Sequence, residues 1–359
     1  MLKNELDVRL KKAKELKGKP DQDSLGFGQF FTDHMLTMQW SQAEGWHNAE
    51  IRPYGDFQVD PAAMVFHYGQ AIFEGLKVYR GPDGSILMYR PKDNLERLNR
   101  SAVRMCMPRL PVDKVMQAMK GLVYLDRDWI PESEGAALYL RPTMVATEAA
   151  LGLRPSDEYL FFIIMSPVGA YYAEGFNPTR IYVEDTYVRA VPGGVGEAKT
   201  AGNYAASVKA LTEAQRKGYT QVLWLDALEH KYIEEVGTSN IFFVINDELV
   251  TPPLGGTILA GITRDSVLQL ARDWGVEVSE RRITIDEIIE AAKDGSLREA
   301  FGSGTAAVIS PVGEFCYKGE CITVNEGKTG ALSRRLFDGI QELQRGMVPD
   351  PHGWRVRVA

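Results

Sequence analysis

The sequence predicts a two-domain α/β protein, and three observations support this. The chain has 359 residues, which is more than one hydrophobic core usually organises. Short apolar runs typical of buried strands alternate with segments whose apolar residues recur at helical spacing. A stretch containing proline and glycine lies near the middle of the chain. We therefore expect an N-terminal α/β domain over 1–170, an interdomain linker over 171–182 and a C-terminal domain over 183–359.

The first half of the chain predicts strands and helices in mixed order. Leu95, Leu98 and Ala102 have nearly helical spacing, which predicts a helix around them. The elements expected in this half are a loop that leads into a strand over 24–40, a turn with a helix or tight bend over 61–78, helices over 93–107 and 115–126, and buried strands over 136–140 and 159–164.

The second half contains clearer stop signals. Gly218 and Gly275 should each end a helix, and Asn246 with Asp247 should form a turn between strands. The elements expected here are strands over 180–183, 221–226 and 240–245, helices over 203–217 and 261–274, a hairpin-like segment that carries Glu235, and a glycine loop over 299–307.

Charge and composition exclude several functional classes. The formal net charge of −7 gives no electrostatic footprint for nucleic acid and no attraction to anionic membranes. No apolar run approaches the roughly 20 residues that a membrane helix needs. The N-terminus carries acidic residues and lacks the apolar core of a secretory signal, so we expect a cytoplasmic protein. Residues 11–20 predict a solvated helix or frayed arm.

The three cysteines are sparse and odd in number, which is typical of a reducing cytoplasm. Four residues separate Cys316 from Cys321, so the two do not form a redox CxxC motif. No histidine cluster accompanies them, and we expect no metal site.

A lysine in a glycine-rich segment is the main candidate for chemistry. Lys199 follows Gly193, Gly194 and Gly196, and a lysine can form a Schiff base with an aldehyde. The flanking glycines would let a planar cofactor approach the backbone. Tyr204 and Glu235 follow. A lysine, a carboxylate for a pyridine nitrogen and a tyrosine for a phenolic oxygen are what pyridoxal phosphate requires.

The same cofactor needs donors for its phosphate. Ile262 and Thr263 lie at a predicted helix N-terminus, where backbone N–H groups favour anions. Thr305 can add a hydroxyl group, and Arg97 can supply positive charge. Taken singly, each residue has a structural explanation: a surface lysine, a solvated strand end, an ordinary turn, or core aromatic side chains. The functional interpretation depends on their occurring together.

The order of these segments resembles the class IV, fold-type IV pyridoxal phosphate aminotransferases, and among them the branched-chain amino acid aminotransferases. Lys199 to Tyr204 is similar to the motif Lys-x-Gly-Gly-Asn-Tyr, with Ala201 in place of the first glycine. Glu235 to Phe242 is similar to Glu-x-x-x-x-Asn-hydrophobic-aromatic. The resemblance extends from Phe31 to Gly319. It implies a fold like that of D-amino acid aminotransferase, with a smaller N-terminal α/β domain and a larger, barrel-like C-terminal domain.

The resemblance also implies roles for individual residues. Lys199 should be the Schiff-base lysine and proton shuttle, Glu235 should face the pyridine nitrogen and Tyr204 the phenolic oxygen. Arg141 should recognise the side-chain carboxylate of 2-oxoglutarate or glutamate. The phosphate should be held by Arg97, Ile262, Thr263 and Thr305. The remaining substrate-pocket positions are Phe27, Tyr68, Phe73, Tyr139, Tyr171, Thr238 and Ala306.

The implied activity is transamination of L-leucine, L-isoleucine and L-valine with 2-oxoglutarate by a ping-pong mechanism, as in branched-chain amino acid biosynthesis. Leu151 and Leu153 match a loop that the family donates to the substrate pocket of the other subunit, which implies that both contact substrate there and that the protein is a homodimer. Some relatives carry a redox CxxC after the Gly-Thr-Ala segment. Here residues 307–310 contain no cysteine, so we expect no thiol switch there.

Four other hypotheses remain open. Residues 193–200 resemble a P-loop, Gly-x-x-x-x-Gly-Lys-Thr, and Asp226 after an apolar run imitates a Walker B carboxylate. However, Ala198 stands where a P-loop requires glycine. Within the fold, a D-amino acid aminotransferase or an aminodeoxychorismate lyase is possible. A non-catalytic binding protein is the fourth hypothesis, although every catalytic position is filled.

Overall fold

The computed structural model describes residues 7–133, 135–169 and 176–359. The chain divides into two compact units. The N-terminal unit comprises 1–171 with the short segment 198–201 and the C-terminal stretch 342–359, whereas the C-terminal unit comprises 172–197 and 202–341. The sequence predicted a linker over 171–182, and a strand of the C-terminal unit already begins at Thr179. Because 342–359 joins the N-terminal unit, that unit contains the larger share of the residues.

The N-terminal unit is built on one mixed sheet of nine strands. Seven of them follow the order β1-β3-β2-β8-β7-β5-β6, a terminal strand β18 pairs with β6, and β4 pairs with β7. The strands are β1 (Arg9–Leu10), β2 (His34–Ser41), β3 (Gly45–Pro53), β4 (Ala71–Phe73), β5 (Leu76–Arg80), β6 (Ile86–Tyr89), β7 (Ala137–Ala146), β8 (Glu158–Val168) and β18 (Arg355–Arg357).

Three helices accompany this sheet: α1 (Met64–Tyr68), α2 (Pro91–Arg104) and α3 (Val112–Leu125). The predicted helices over 93–107 and 115–126 are confirmed with shifted ends. Helix α2 starts at Pro91, whose fixed φ suits a first turn, and it stops before Cys106, which has a φ of 54°. Leu95, Leu98 and Ala102 bury their side chains in the core of this unit.

The N-terminal arm is ordered along the sheet and is not helical, so the predicted helix or frayed arm is wrong, although the segment is largely exposed to solvent as expected. Strand β1 pairs in parallel with β3. Beyond it, the Ala13 N–H donates to Nε2 of His34 at 2.9 Å, and the Lys17 N–H donates to Asp33 at 2.7 Å. The other nitrogen of His34 contacts Asp126 at 2.6 Å. These long-range hydrogen bonds hold the backbone of the segment in place, while most of its side chains stay exposed to solvent.

The C-terminal unit contains a sheet that closes on itself. Its strands are ordered β11-β10-β9-β16-β15-β12, and β12 pairs again with β11, which closes a ring of six strands. Strands β13 and β14 extend it beyond β12, and β17 pairs with β16. The strands are β9 (Thr179–Glu184), β10 (Gln221–Leu225), β11 (Ile233–Val236), β12 (Ser239–Ile245), β13 (Glu248–Thr251), β14 (Val278–Glu280), β15 (Leu297–Gly304), β16 (Val308–Tyr317) and β17 (Glu320–Thr323). The expected barrel-like sheet is confirmed.

Four further helices are α4 (Ala201–Arg216), α5 (Ile262–Asp273), α6 (Ile285–Asp294) and α7 (Ala331–Arg345). Glycines follow α4 and α5 as predicted, with φ of 84° at Gly218 and 72° at Gly275. The carboxylate of Glu299 accepts the N–H groups of Leu332 and Ser333, which fixes the start of α7. No helix among the described residues is long and apolar enough to cross a membrane.

The glycine-rich segment 299–307 is mostly strand, so the predicted glycine loop is wrong over most of its length. Gly302 and Gly304 belong to β15 and pair with Ser310 and Val308 of β16. A Cβ atom at Gly302 would lie 3.0 Å from the Val236 side chain, so glycine permits a close approach within the barrel. Only the turn at 305–307 has the expected loop character.

Candidate active site

Lys199 lies in the N-terminal unit and is fixed through its main chain. Its N–H donates to the hydroxyl of Ser101 at 2.9 Å, and its carbonyl accepts the N–H of Phe73 at 3.0 Å. Thr200 forms an isolated bridge with Ile72, so this short segment pairs with β4. The Lys199 Nζ lies 4.9 Å from the centre of the Phe73 ring. The Lys199 side chain therefore lies over the Phe73 ring, and a backbone hydrogen bond links these two residues.

Arg141 and three aromatic side chains form the surroundings of that surface. The rings of Phe27 and Tyr139 contact each other edge to face at 5.0 Å. Arg141 donates to the Tyr139 hydroxyl at 3.1 Å and lies 4.8 Å from the centre of the Phe73 ring. A Cβ atom at Gly75 would lie 1.8 Å from the Tyr139 hydroxyl oxygen, so only glycine leaves room for that ring. Four predicted substrate residues and Lys199 thus meet in one unit.

Arg97 is buried and bound by a carboxylate. Its Nε and Nη2 groups donate to the two oxygens of Glu74 at 2.7 and 2.9 Å. Both side chains are at most 5% exposed. A bidentate pair of this kind fixes the plane of the guanidinium group. The phosphate role predicted for Arg97 stays a prediction, and the partner that orients this arginine is Glu74.

Three further predicted pocket residues, Tyr68, Leu151 and Leu153, lie at the surface of this unit. The Tyr68 hydroxyl donates to the carbonyl of Leu151, which ties α1 to the segment after β7. The Leu151 and Leu153 side chains are exposed. Tyr171 lies outside the described residues.

Glu235 is buried in the barrel of the C-terminal unit, on β11. Its Oε1 accepts the N–H of Leu259 at 2.8 Å and the amide of Asn240 at 3.4 Å. Its Oε2 lies 3.1 Å from Nε of Arg189, and both side chains are less than 10% exposed. A Cβ atom at Gly261 would lie 2.0 Å from the Asn240 side-chain oxygen, so glycine is needed there for Asn240 to take its place.

Glu234, the neighbour of Glu235 in the chain, is also buried. Burial raises the pKa of Glu234, while its hydrogen bond with Thr257 and the positive charge of Arg189 act in the opposite direction. Two adjacent buried glutamates thus share the influence of one arginine.

The candidate phosphate groups of this unit lie at a helix start and a turn. Helix α5 begins at Ile262, and its N-cap Gly261 has no side chain to accept the first N–H groups. Thr263 is buried in the first turn, and Thr305 lies in the turn after β15. The other predicted residues here are Tyr204 on α4, Thr238 in the turn between β11 and β12, and Ala306 beside Thr305.

The geometry around Asp226 speaks against the P-loop hypothesis. Its carboxylate accepts four backbone N–H groups, those of Leu228, Glu229, Lys231 and Tyr232, at 2.8 to 3.1 Å. It therefore organises the turn that follows β10. Burial alone would raise the pKa of Asp226, but these four donors lower it. The hydroxyl of Thr200, a magnesium ligand in a P-loop, instead donates to the carbonyl of Ala71.

Cys316 and Cys321 face each other across the β16–β17 hairpin and form a disulfide. The sparse, odd cysteine count was interpreted as typical of a reducing cytoplasm and did not predict this pairing, since the register of β16 and β17 places the two residues opposite each other. Glu314, Cys316 and Cys321 also bring potential ligand atoms within 4.8 Å of one another. Both sulfur atoms are engaged in the disulfide.

Sequence reasoning missed Glu74 and Arg189. Each forms a buried ion pair with a predicted site residue, Glu74 with Arg97 and Arg189 with Glu235. Glu74 lies 23 positions before Arg97 in the chain, and no local period links such partners. A usable signal for Arg189 was that a buried carboxylate in a strand requires a cation or several donors.

Comparison with known proteins shows the family to which the chain belongs. The sequence profile of the family described as amino-transferase class IV matches residues 71–315. The branched-chain-amino-acid aminotransferase 2 of Bacillus subtilis (strain 168) is 53% identical over 359 residues, which cover 100% of this chain and 98% of the relative.

Two solved structures of branched-chain amino acid aminotransferases have the same fold. The one from Escherichia coli has a TM-score of 0.76 and 28% identity, and the match covers 91% of this chain and 99% of that one. The one from Thermobaculum terrenum, in its PLP-form, has a TM-score of 0.73 and 26% identity, and the match covers 90% of this chain and 98% of that one. Class IV aminotransferases depend on pyridoxal phosphate. The matches extend over nearly the whole chain, which therefore belongs to the branched-chain amino acid aminotransferases of the class IV aminotransferase family.

Proposed function

We propose that the chain transfers the amino group of L-leucine, L-isoleucine and L-valine to 2-oxoglutarate, with pyridoxal phosphate as its cofactor. The observation that carries this proposal is the surroundings of Phe73. Lys199 Nζ lies 4.9 Å and the Arg141 guanidinium 4.8 Å from the centre of that ring. An apolar ring beside a cation suits a pocket that must accept an aliphatic side chain in one half-reaction and a carboxylate in the other.

The cofactor supplies an aldehyde that a lysine can hold covalently and a ring that withdraws electrons from the reacting carbon. The chain has groups that fit these parts. Lys199 would hold the aldehyde carbon through Nζ. Glu235 would accept a hydrogen bond from the ring nitrogen, since its Oε1 is already fixed by two donors. The Tyr204 hydroxyl would contact the phenolic oxygen.

The phosphate would be bound by residues of three kinds. Ile262 and Thr263 would donate backbone N–H groups from the first turn of α5, where the helix dipole favours an anion. Thr305 would add its hydroxyl group. Arg97 would supply positive charge from a guanidinium whose plane Glu74 holds.

Lys199 would then act as the proton shuttle. Its Nζ would take the proton from the substrate Cα and deliver it to C4′ of the cofactor. Arg141 would bind the side-chain carboxylate of 2-oxoglutarate or glutamate, and Phe27, Phe73 and Tyr139 would contact an aliphatic side chain in the same place. The pocket is completed in this proposal by Tyr68, Tyr171, Thr238 and Ala306. Because both substrates use one pocket, the first product must leave before the second substrate binds, which is a ping-pong sequence.

We further propose a cytoplasmic homodimer. Leu151 and Leu153 are 65% and 83% exposed in the single chain. Two nearby exposed leucines would be covered if this segment lies against a second copy of the chain.

The test is the visible absorption spectrum of the purified protein, first alone, then with L-leucine, then with 2-oxoglutarate. We expect a yellow band from bound pyridoxal phosphate that bleaches with leucine and returns with 2-oxoglutarate. A band that responds only to D-alanine would contradict the substrate assignment. A colourless protein that stays colourless with added pyridoxal phosphate would contradict the cofactor and the mechanism.

A further inference from the structure

Arg189 is a buried cation in the loop between β9 and α4, and it contacts the carboxylate that sequence analysis placed at the pyridine nitrogen. Its side chain is 8% exposed, and its Nε lies 3.1 Å from Oε2 of Glu235. Its Nη2 donates to the carbonyls of Gly196 and Thr257. One guanidinium group therefore joins the glycine-rich loop, the segment before α5 and the carboxylate of β11.

The contacts of Glu235 differ between its two oxygens. Oε1 accepts the Leu259 N–H and the Asn240 amide, and Asn240 is itself held by a second hydrogen bond to the carbonyl of Leu259. Oε2 faces Arg189. The neutral donors fix the position of the carboxylate, and the arginine brings a positive charge to it.

Arg189 can offset the negative charge of Glu235, which the uncharged N–H groups of Leu259 and Asn240 cannot do. Glu234 and Glu235 are adjacent and both are buried, and burial of two carboxylates favours their neutral forms. A neutral Glu235 could not stabilise a protonated pyridine ring, whereas an ionised one can. Removing Arg189 would leave two buried acids next to each other with no counter-ion from this contact.

We propose that Arg189 is a positioning residue that keeps Glu235 ionised and in place, so that the proton shared with the cofactor resides on the ring nitrogen. This inference rests on the proposed function and extends it by naming Arg189 as the group that keeps Glu235 charged. The arginine acts through Glu235 and does not contact substrate.

The test compares four forms of the full-length enzyme: the unaltered protein, Arg189→Met, Glu235→Gln and the double variant. Equilibrium dialysis followed by visible absorbance gives the dissociation constant of pyridoxal phosphate, and steady-state kinetics give kcat and KM. Methionine preserves much of the apolar stem of arginine and removes the charge. Arg180→Met is the matched control, because Arg180 forms an ion pair with Glu314 in the same unit at 2.8 Å but is 53% exposed.

For Arg189→Met we expect pyridoxal phosphate to bind at least ~10-fold more weakly and kcat to fall ~100-fold, with KM for leucine within ~3-fold of normal. Because Arg189 acts through Glu235, the double variant should be no more than ~3-fold worse than Glu235→Gln alone. Arg180→Met should bind the cofactor as the unaltered enzyme does.

Two results would overturn the inference. One is an Arg189→Met enzyme whose dissociation constant for pyridoxal phosphate and whose kcat both lie within ~2-fold of normal. The other is a double variant in which the losses of the two single variants multiply. If Arg189→Met fails to fold, Arg189→Lys decides, because it keeps a cation. A lysine variant that binds pyridoxal phosphate ~10-fold more weakly than normal would show that charge is not the cause. Failure of the unaltered enzyme to bind pyridoxal phosphate would instead refute the proposed function, and this inference with it.

Discussion

At the scale of single residues, Lys199 is held by its backbone while its side chain lies on an aromatic ring. The hydrogen bonds to Ser101 and Phe73 use only main-chain atoms of Lys199. A change of its side chain therefore leaves those bonds intact. This separates the contribution of the ammonium group to chemistry from the contribution of the segment to folding.

We predict that Lys199→Ala keeps the fold and loses turnover by about four orders of magnitude or more, since it removes both the covalent anchor and the proton shuttle. Circular dichroism and steady-state assays with leucine and 2-oxoglutarate measure the two effects. Lys209→Ala is the control, because Lys209 is exposed on α4 and pairs with Glu213. A Lys199→Ala enzyme with a nearly normal rate would remove this lysine from the mechanism.

Arg141 allows the two half-reactions to be separated. We predict that Arg141→Met raises KM for 2-oxoglutarate by about 10- to 100-fold, because a charged hydrogen bond to its carboxylate is lost. The leucine half-reaction, followed as bleaching of the visible band, should change by less than about 3-fold. Equal losses with both substrates would argue against selective recognition of the carboxylate.

Motif spacing in the sequence proposes Lys199, Tyr204 and Glu235 as site residues, and their roles stay predictions. Their supporting partners could not be predicted in this way. Glu74 and Arg189 are recognisable only once the fold brings them within 3.1 Å of Arg97 and Glu235. Sequence reasoning finds groups that perform chemistry more readily than groups that set their charge or orientation.

At the scale of elements, the residues that end helices and strands were predicted correctly from the sequence, whereas glycines that permit close packing were mistaken for loop residues. Asn246 and Asp247 both have positive φ values, of 50° and 64°, in the predicted turn between β12 and β13. In contrast, Gly302 and Gly304 were predicted in a loop and lie in β15. Glycine permits both a turn and a close contact in a barrel, and only the packing of β11 and β12 against β15 distinguishes them.

The turn after β10 should depend on the charge of Asp226. We predict that Asp226→Asn lowers the free energy of unfolding by about 2 kcal/mol at pH 7. The two charged oxygens of the aspartate accept four backbone N–H groups, whereas asparagine offers one neutral oxygen as acceptor. The folded state lowers the pKa of Asp226, so its contribution is complete above the ordinary carboxyl value of about 3.9. The contribution is lost as the pH falls through the lowered value.

Urea unfolding at pH 7 and in acid measures this difference. The difference in free energy of unfolding between the unaltered protein and Asp226→Asn should be largest at pH 7 and should decrease below about pH 3.9. Asp247→Asn in the exposed hairpin turn is the control and should change stability little. A gap that stays constant as the pH falls would mean that the aspartate acts through shape and not through charge.

At the scale of the whole molecule, the division into units does not follow the order of the chain. Sequence composition predicted one boundary, near 171–182. The N-terminal unit also takes in 198–201 and 342–359, and β18 within the latter pairs with β6. The assignment of these two segments to the N-terminal unit depends on pairing between residues far apart in the chain, which local sequence patterns do not predict.

The exposed leucines predict the assembly. We expect the chain, of 40.0 kDa, to behave as a dimer in light scattering coupled to size-exclusion chromatography. Leu153→Asp should raise KM for leucine by about 10-fold, because a charge would enter an apolar surface that a partner covers. Leu228→Asp is the control, since Leu228 is 76% exposed in the C-terminal unit. A monomer with normal activity would contradict the proposed homodimer.

The return of the chain end to the first sheet also determines when that sheet can be finished during translation. A ribosome makes the strands β1 to β8 first, yet β6 meets its partner β18 only when residues 355–357 have been added. The lysine segment at 198–201 likewise emerges after the strand beside which it lies, β4. Nascent chains of this protein therefore hold the first sheet without its edge strand β18 until residues 355–357 have been made.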